Sequence, residues 1–378
     1  MKRLLFIFTA LFMLTAHVSA GGKITIPDIT SGKFAAKTVN GINPIEGTDT
    51  YARISDDGKR VDCYSFKTGK LLRNLFDVSN TMGKKIDSFD GYILSPDGTR
   101  MLIQTKTNYI YRRSYTAVHY IYTIASRKLE RLSDGGPQQV PTWSSDGQQV
   151  AFVREGNIFL VKLLYDNAEI QVTKDGKFNE VINGIPDWVN EEEFGFNRAL
   201  TFNADGTMLC WIRYDESKVK TYSLQMYKGM RPEHSEYTDY PGFYSYKYPK
   251  AGQDNSVVTA WSYDIKSRKI NRLNVPIDAD GYMPRIKSTV DPNRIVVYTM
   301  NRHQDQLCLY AVNPRTTVAQ LLIKESVPKY VQESAVEAIK FVGNNIILPS
   351  DRSGFMNLYI YNMNGQLQRT IGGKFDIT

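Results

Sequence analysis

The sequence predicts an all-β chain folded as a β-propeller of four-stranded antiparallel blades, and three observations carry that prediction. First, a phrase built around Asp-Gly recurs: "ISDDGKRV" at 54, "LSPDGTRMLI" at 94, "SSDGQQVAFV" at 144 and "FNADGTMLCWI" at 202. Its glycines, Gly58, Gly98, Gly147 and Gly206, are spaced by 40, 49 and 59 residues, close to the roughly 40 to 50 residues of a propeller blade. Second, another phrase interleaves with it: "IYTIASRKLERL" at 121, "SYDIKSRKINRL" at 262, "LYAVNPRTTVAQLL" at 309 and "LYIYNMNGQLQRT" at 358. Third, no long helical period interrupts the alternation.

The elements follow in order. Lys2 and Arg3, an apolar run and the small residues Ser19 and Ala20 read as a secretory signal peptide over 1–20, so the product is expected to be exported, and periplasmic in a Gram-negative source. A retained first helix acting as an anchor is the alternative. No later run of about 18 apolar residues predicts a membrane span. Residues 21–48 form a lead-in that has the option of supplying an edge strand, and 49–378 hold the propeller. In each first phrase, Asp-Gly supplies the positive φ of a tight turn and the β-branched and aromatic residues after it favour a strand. Each second phrase reads as strand, polar turn, strand, the outer hairpin of a blade. Residues 216–256, rich in Tyr, Pro and Gly, break the spacing and read as an insertion between strands.

Composition excludes several functions. The formal charge is +8, yet no Lys/Arg cluster reaches the density of a nucleic-acid patch. Cys63, Cys210 and Cys308 are too few and too far apart for a disulfide framework and are expected to be buried thiols. His119, His234 and His303 have no neighbours at metal-ligand spacing, and the acidic turns at 55 and 278 lack the distal glutamate of a calcium loop; neither a metal nor a cofactor is expected. "AWSYD" at 260–264 places Ala260 and Asp264 where a nucleophile elbow needs glycines, so Ser262 is expected to be a strand residue. The 24 tyrosines suit packing between blades, with a carbohydrate-binding surface as the other reading.

One stretch remains. "NGIPDWVNEEEFGF" at 183–196 sets Glu191, Glu192 and Glu193 side by side. Asp187 is a good N-cap, and a short capped surface helix accounts for part of the pattern. However, Trp188 and Phe194 flank the acids, which implies partial burial, and buried carboxylates require a cation or lose their charge. "YRRSYTA" at 111–117, with Arg112 and Arg113 among aromatics, is the second unusual segment, since arginine presents a fixed fork to carbonyls and carboxylates.

These residues carry a resemblance. "NGIPDWVNEEEF" resembles the glutamate signature of the dipeptidyl peptidase IV propeller, and "YRRSYTA" resembles that family's arginine segment. "YPKAG" at 248 and "SDRSGFMNLYIY" at 350 match in the same order, so the resemblance covers the chain from about 90 onward. It implies a prolyl-oligopeptidase-like architecture, in which an eight-bladed propeller caps an α/β-hydrolase domain whose serine triad releases N-terminal X-Pro or X-Ala dipeptides. It further implies that Glu192 and Glu193 bind the substrate's free α-ammonium and that Arg112 holds the first peptide carbonyl. Arg113 falls at a more variable position; Asp187, Trp188 and Glu191 support the site. Asn190 departs from the tyrosine usual before the triplet.

The Gly-x-Ser-x-Gly elbow, Asp and His of a hydrolase domain are not in the sequence, so no catalytic residue is assigned. The chain is expected to be an incomplete propeller of about six or seven blades, poorly soluble and inactive alone. Its expected partners are peptide N-termini with Pro or Ala second, the hydrolase domain and, by resemblance, a second copy in a homodimer. Two other readings stay open: a non-enzymatic periplasmic propeller binding peptide or protein partners, and a short paralogue that binds peptides without cutting them.

Overall fold

The computed structural model describes residues 23–36, 41–227 and 240–378. The expected signal peptide and His234 lie outside these residues. The architecture is a run of mainly antiparallel sheets, each drawn from one stretch of chain: 43–77, 82–131, 139–171, 181–272, 282–326 and 340–371, with the short Met82–Gly83 strand pairing in parallel at the edge of the second and the two strands inserted within 181–272 forming a separate ribbon. Four of these have four strands in simple sequential order, while the second and fourth have five. This is an all-β propeller, open rather than closed into a barrel, with six blades among the described residues.

The turns repeat one backbone geometry. Gly58, Gly98, Gly147 and Gly206 all sit at φ between 66° and 69°, the left-handed region that glycine enters without a Cβ penalty. The preceding aspartate accepts a hydrogen bond from the amide two residues on: Lys59 to Asp57 at 3.0 Å, Thr99 to Asp97 at 3.1 Å, Gln148 to Asp146 at 3.0 Å and Thr207 to Asp205 at 3.0 Å. Neighbouring turns are also stitched together, since Ser145 Oγ donates to the Asn203 carbonyl at 2.8 Å and Gln149 to that of Gly206 at 3.1 Å.

The core sits between sheets because strand side chains alternate with period two. In the strand Arg100–Tyr109, Met101 and Ile103 pack with Phe76 and Val61 of the first sheet, while Leu102 joins Phe152 and Trp143 of the third. In the strand Met208–Asp215, Leu209 and Trp211 face the third sheet, and Met208, Cys210 and Ile212 face the fifth. A blade buried on both faces therefore reads as a continuous apolar run, as "MLCWI" does.

The expected outer hairpins form at 121, 262, 309 and 358. Ser262 is a buried strand residue whose Oγ donates to the Pro314 carbonyl at 2.7 Å. Cys63 and Cys210 are buried; Cys308 is only half-buried, a departure from the expectation, because its strand faces partly outward. His119 is 1% exposed, with Nδ1 3.1 Å from Gln138 Oε1, and burial pushes its pKa down to about 4. Among the described residues no group of His, Cys, Asp and Glu is placed to hold a metal ion. No helix of the described residues is long and apolar enough to cross a membrane. The Asn43–Pro44 strand pairs with Thr50–Ile54 at the edge of the first sheet.

Candidate functional site

The glutamates lie on the short helix Trp188–Phe194, inserted between two strands of the fourth sheet. Both helix ends are tied down, which a helix too short to be stable alone requires. At the start, Asp187 Oδ1 accepts from the Asn190 backbone amide at 2.9 Å and from Asn190 Nδ2 at 2.8 Å, and Oδ2 accepts from Ser256 Oγ. Burial raises the Asp187 pKa, and these donors oppose the rise. At the end, Gly195 takes φ 68° and returns its amide to the Glu191 carbonyl. Buried Arg285 donates to the Phe194 carbonyl at 2.7 Å, placing a cation at the negative end of the helix dipole.

Consecutive helix residues point about 100° apart, so the three acids serve three different directions. Glu191 turns inward and is 1% exposed. Its Oε1 accepts from the backbone amides of Arg113 at 2.7 Å and Ser114 at 2.8 Å. Asn197 Nδ2 adds a bond to the Arg113 carbonyl at 2.8 Å. The arginine segment, which is the tip between the strands Arg100–Tyr109 and Tyr115–Thr123 of the second sheet, is thereby fastened to the helix of the fourth. Glu192 accepts from Arg112 Nε at 2.8 Å; its side chain is 18% exposed and that of Arg112 is 72% exposed. Glu193 is exposed and, among the described residues, makes no ion pair. It borders a depression of about 560 Å³ shared with Trp188, Tyr248, Lys250, Tyr282 and Arg302.

The structure thus brings Arg112, Arg113, Asp187, Trp188, Glu191 and Glu192 into one cluster and leaves Glu193 at its outer side. The expectation that the buried acids await a cation needs correction for one of them. The fully buried acid is Glu191, and backbone N–H groups satisfy it; an amide pair offers the same positive dipoles without a counter-ion.

Sequence reasoning missed the aromatic cover. The 216–256 insertion contains the hairpin Thr221–Met226 and Gly242–Lys247, whose far end returns over the site. Trp188 stacks on Tyr248 at 4.0 Å, and Tyr246 lies 6.0 Å from Trp188 and 5.8 Å from Tyr111. The sequence signals were the density of tyrosines and the "YPKAG" match, which begins at Tyr248 but does not reveal that its ring covers the site. Arg285 and Glu216, both buried beside the helix, gave no signal at all.

Fold and site together define the propeller portion of a dipeptidyl-peptidase-type protein: repeated sheets, with an arginine tip from one blade clasped by a glutamate helix from another. Residues 95–378 match the dipeptidyl peptidase IV N-terminal region, and the chain belongs to that family. It is similar to the crystal structure of Porphyromonas gingivalis dipeptidyl peptidase 4, with a TM-score of 0.89 and 34% identity over 94% of this chain and 50% of that one. A probable dipeptidyl-aminopeptidase B of Tuber melanosporum is 31% identical over 79% of this chain and 35% of its own length. Dipeptidyl-aminopeptidase B of Aspergillus niger is 28% identical over 83% of this chain and 37% of its own. The chain spans little more than a third of these curated relatives and half of the solved chain.

Proposed function

We propose that this chain is the substrate-gating propeller of an exported serine-type dipeptidyl peptidase, and that its glutamate helix receives the N-terminus of a peptide with Pro or Ala in second place. The observation that supports this most is the Arg112–Glu192 pair, set at the junction of two blades, with Glu193 next along the same helix on its outer side. An α-amino group titrates near 8, so at neutral pH it is largely cationic and matches two adjacent carboxylates. Only the Arg112 Nε is engaged by Glu192, which leaves the remaining guanidinium donors for a substrate carbonyl. In this reading the bond-breaking groups come from an α/β-hydrolase domain packed against the propeller, and the chain alone binds without cutting. The product acts outside the cytoplasm.

The test compares an Ala-Pro-containing peptide with its N-acetylated form, each titrated into the 378-residue chain. The free peptide is expected to bind and the acetylated one to fail, with Glu192→Gln and Glu193→Gln each weakening the free peptide. Equal binding of the two peptides, or indifference to both substitutions, would overturn the reading and favour a propeller that holds protein partners by another face.

A further inference from the structure

A second cavity, of about 620 Å³, opens beside the clasp. Its wall is assembled from the arginine tip, residues 155–157 of the third sheet, the chain from 176 to 188, Glu216, and the strand Gly242–Lys247. Four acids border it, Glu155, Asp187, Glu191 and Glu216, against two lysines, Lys177 and Lys247. Most of these groups are already engaged. Glu191 is held by two amides, Asp187 by Ser256 and Asn190, and Lys177 pairs with Glu180. Lys247, the lysine nearest in effect to Glu216, gives its protons to the carbonyls of Val219 at 2.6 Å and Ser217 at 3.3 Å.

Two buried groups on this wall remain underused. Glu216 is 6% exposed, accepts from the Asn179 backbone N–H and, among the described residues, makes no ion pair. Ser114, 8% exposed, has an Oγ with no hydrogen-bond partner. A buried polar group without partners costs stability, so Ser114 Oγ marks where a ligand's donor would be welcome, and the Glu216 carboxylate, with no ion-pair partner, offers a counter-charge beside it in the same wall. The rest of the lining is largely apolar and aromatic: Ile110, Ile182, Ile185, Tyr111 and Trp188.

We propose that this cavity binds a primary ammonium carried on an apolar or aromatic stem, with Glu216 as counter-charge and Ser114 Oγ as a neutral acceptor. The wall's acidic excess disfavours an anion. The acceptors are a carboxylate and a hydroxyl on different elements, which suits the three divergent donors of an ammonium better than the flat fork of a guanidinium. Aromatic faces add cation–π attraction for the same charge. The site does not depend on the peptide reading above.

Glu216 gives the binding a pH signature. Burial lifts its pKa to about 7, with Asp187 and Asp215 adding to the rise and Lys247 and the Asn179 amide opposing it. Glu155, Glu191, Lys177, Tyr111 and Tyr244 complete the titratable wall, and burial keeps the Tyr111 hydroxyl protonated. A bound cation favours the ionised carboxylate, so below about pH 7 binding expels a proton. Affinity therefore climbs as pH rises through that value, and it falls only near pH ~10, where an amine of lysine type loses its own charge.

The experiment is calorimetric titration of phenethylammonium chloride into the 378-residue chain, in buffers of different ionisation enthalpy, with 2-phenylethanol as the uncharged control. The amine should bind and the alcohol should not, with proton release below pH 7, and Glu216→Gln should weaken the amine about 10- to 100-fold. Equal binding of amine and alcohol, undiminished binding to Glu216→Gln, or no binding to the unmodified chain overturns the proposal. So does loss of binding on Glu192→Gln with Glu216→Gln unaffected, because the amine would then occupy the clasp. Should Glu216→Gln fail to fold, proton release from the unmodified chain decides: its absence overturns the site.

Discussion

Glu191 and Glu192 are adjacent residues of one type, facing the same arginine segment, and they do opposite work. Glu191 bonds to the backbone of Arg113 and Ser114 in the interior, whereas Glu192 bonds to the side chain of Arg112 at the surface. The inner contact fixes where the tip of the second blade lies; the outer one leaves a mostly exposed guanidinium with spare donors. The difference teaches that a charged pair in a sequence reveals little about its job until its burial is known. A buried carboxylate bound by amides is structural, while an exposed ion pair contributes little to stability and is free to exchange partners.

The comparison breaks most readily at Glu191. Glu191→Ala strands two buried amides and is expected to cost about 2–4 kcal/mol, seen as a lower midpoint in urea unfolding; an unchanged midpoint would show that the blades are not held together there. Glu216 tests the underused side next. Its folded pKa, about 7, exceeds the ordinary glutamate value, so the folded state binds the proton more tightly than the unfolded chain. Its contribution is therefore full below the unfolded pKa and is lost as pH rises from there through about 7. Stability should fall over that window by on the order of 3 kcal/mol, and Glu216→Gln should flatten the fall.

A smaller effect is expected at the helix start. Asp187→Ala removes the N-cap and should cost about 1–2 kcal/mol, measurable in the same unfolding assay, with the Trp188 fluorescence environment altered as the helix frays. The smallest belongs to Arg112→Ala, which should leave the unfolding midpoint where it is while weakening the free peptide through loss of its carbonyl contact, the preference for free over acetylated peptide remaining with Glu192 and Glu193. If instead Arg112→Ala destabilises the chain as Glu191→Ala does, the division between anchor and reaching arm fails.

The architecture was largely legible because its signals are local. Asp-Gly turns need residues that tolerate positive φ, and alternation with period two needs only neighbours in sequence, so Gly58, Gly98, Gly147 and Gly206 announced their turns directly. Asp187 likewise announced a helix start, and its backbone partner is three residues away. The site was legible only as far as its residue types went. Arg112 and the glutamates stood out, yet nothing in "NEEEF" says which acid turns inward.

What the sequence determined by itself was the repeating blade, the capped helix and the family resemblance, since each rests on contacts within a few residues or on a contiguous motif. What only the tertiary structure decided was the division of labour among Glu191, Glu192 and Glu193, the aromatic cover from Tyr246 and Tyr248, the Arg285 cap and the Glu216 cavity. Those depend on contacts between segments tens of residues apart, Arg113 with Glu191 and Arg285 with Phe194 among them. Their distances and burial exist only once the blades have packed. Burial, which sets both the cost of a charge and its pKa, is a property of that packing and not of the residue.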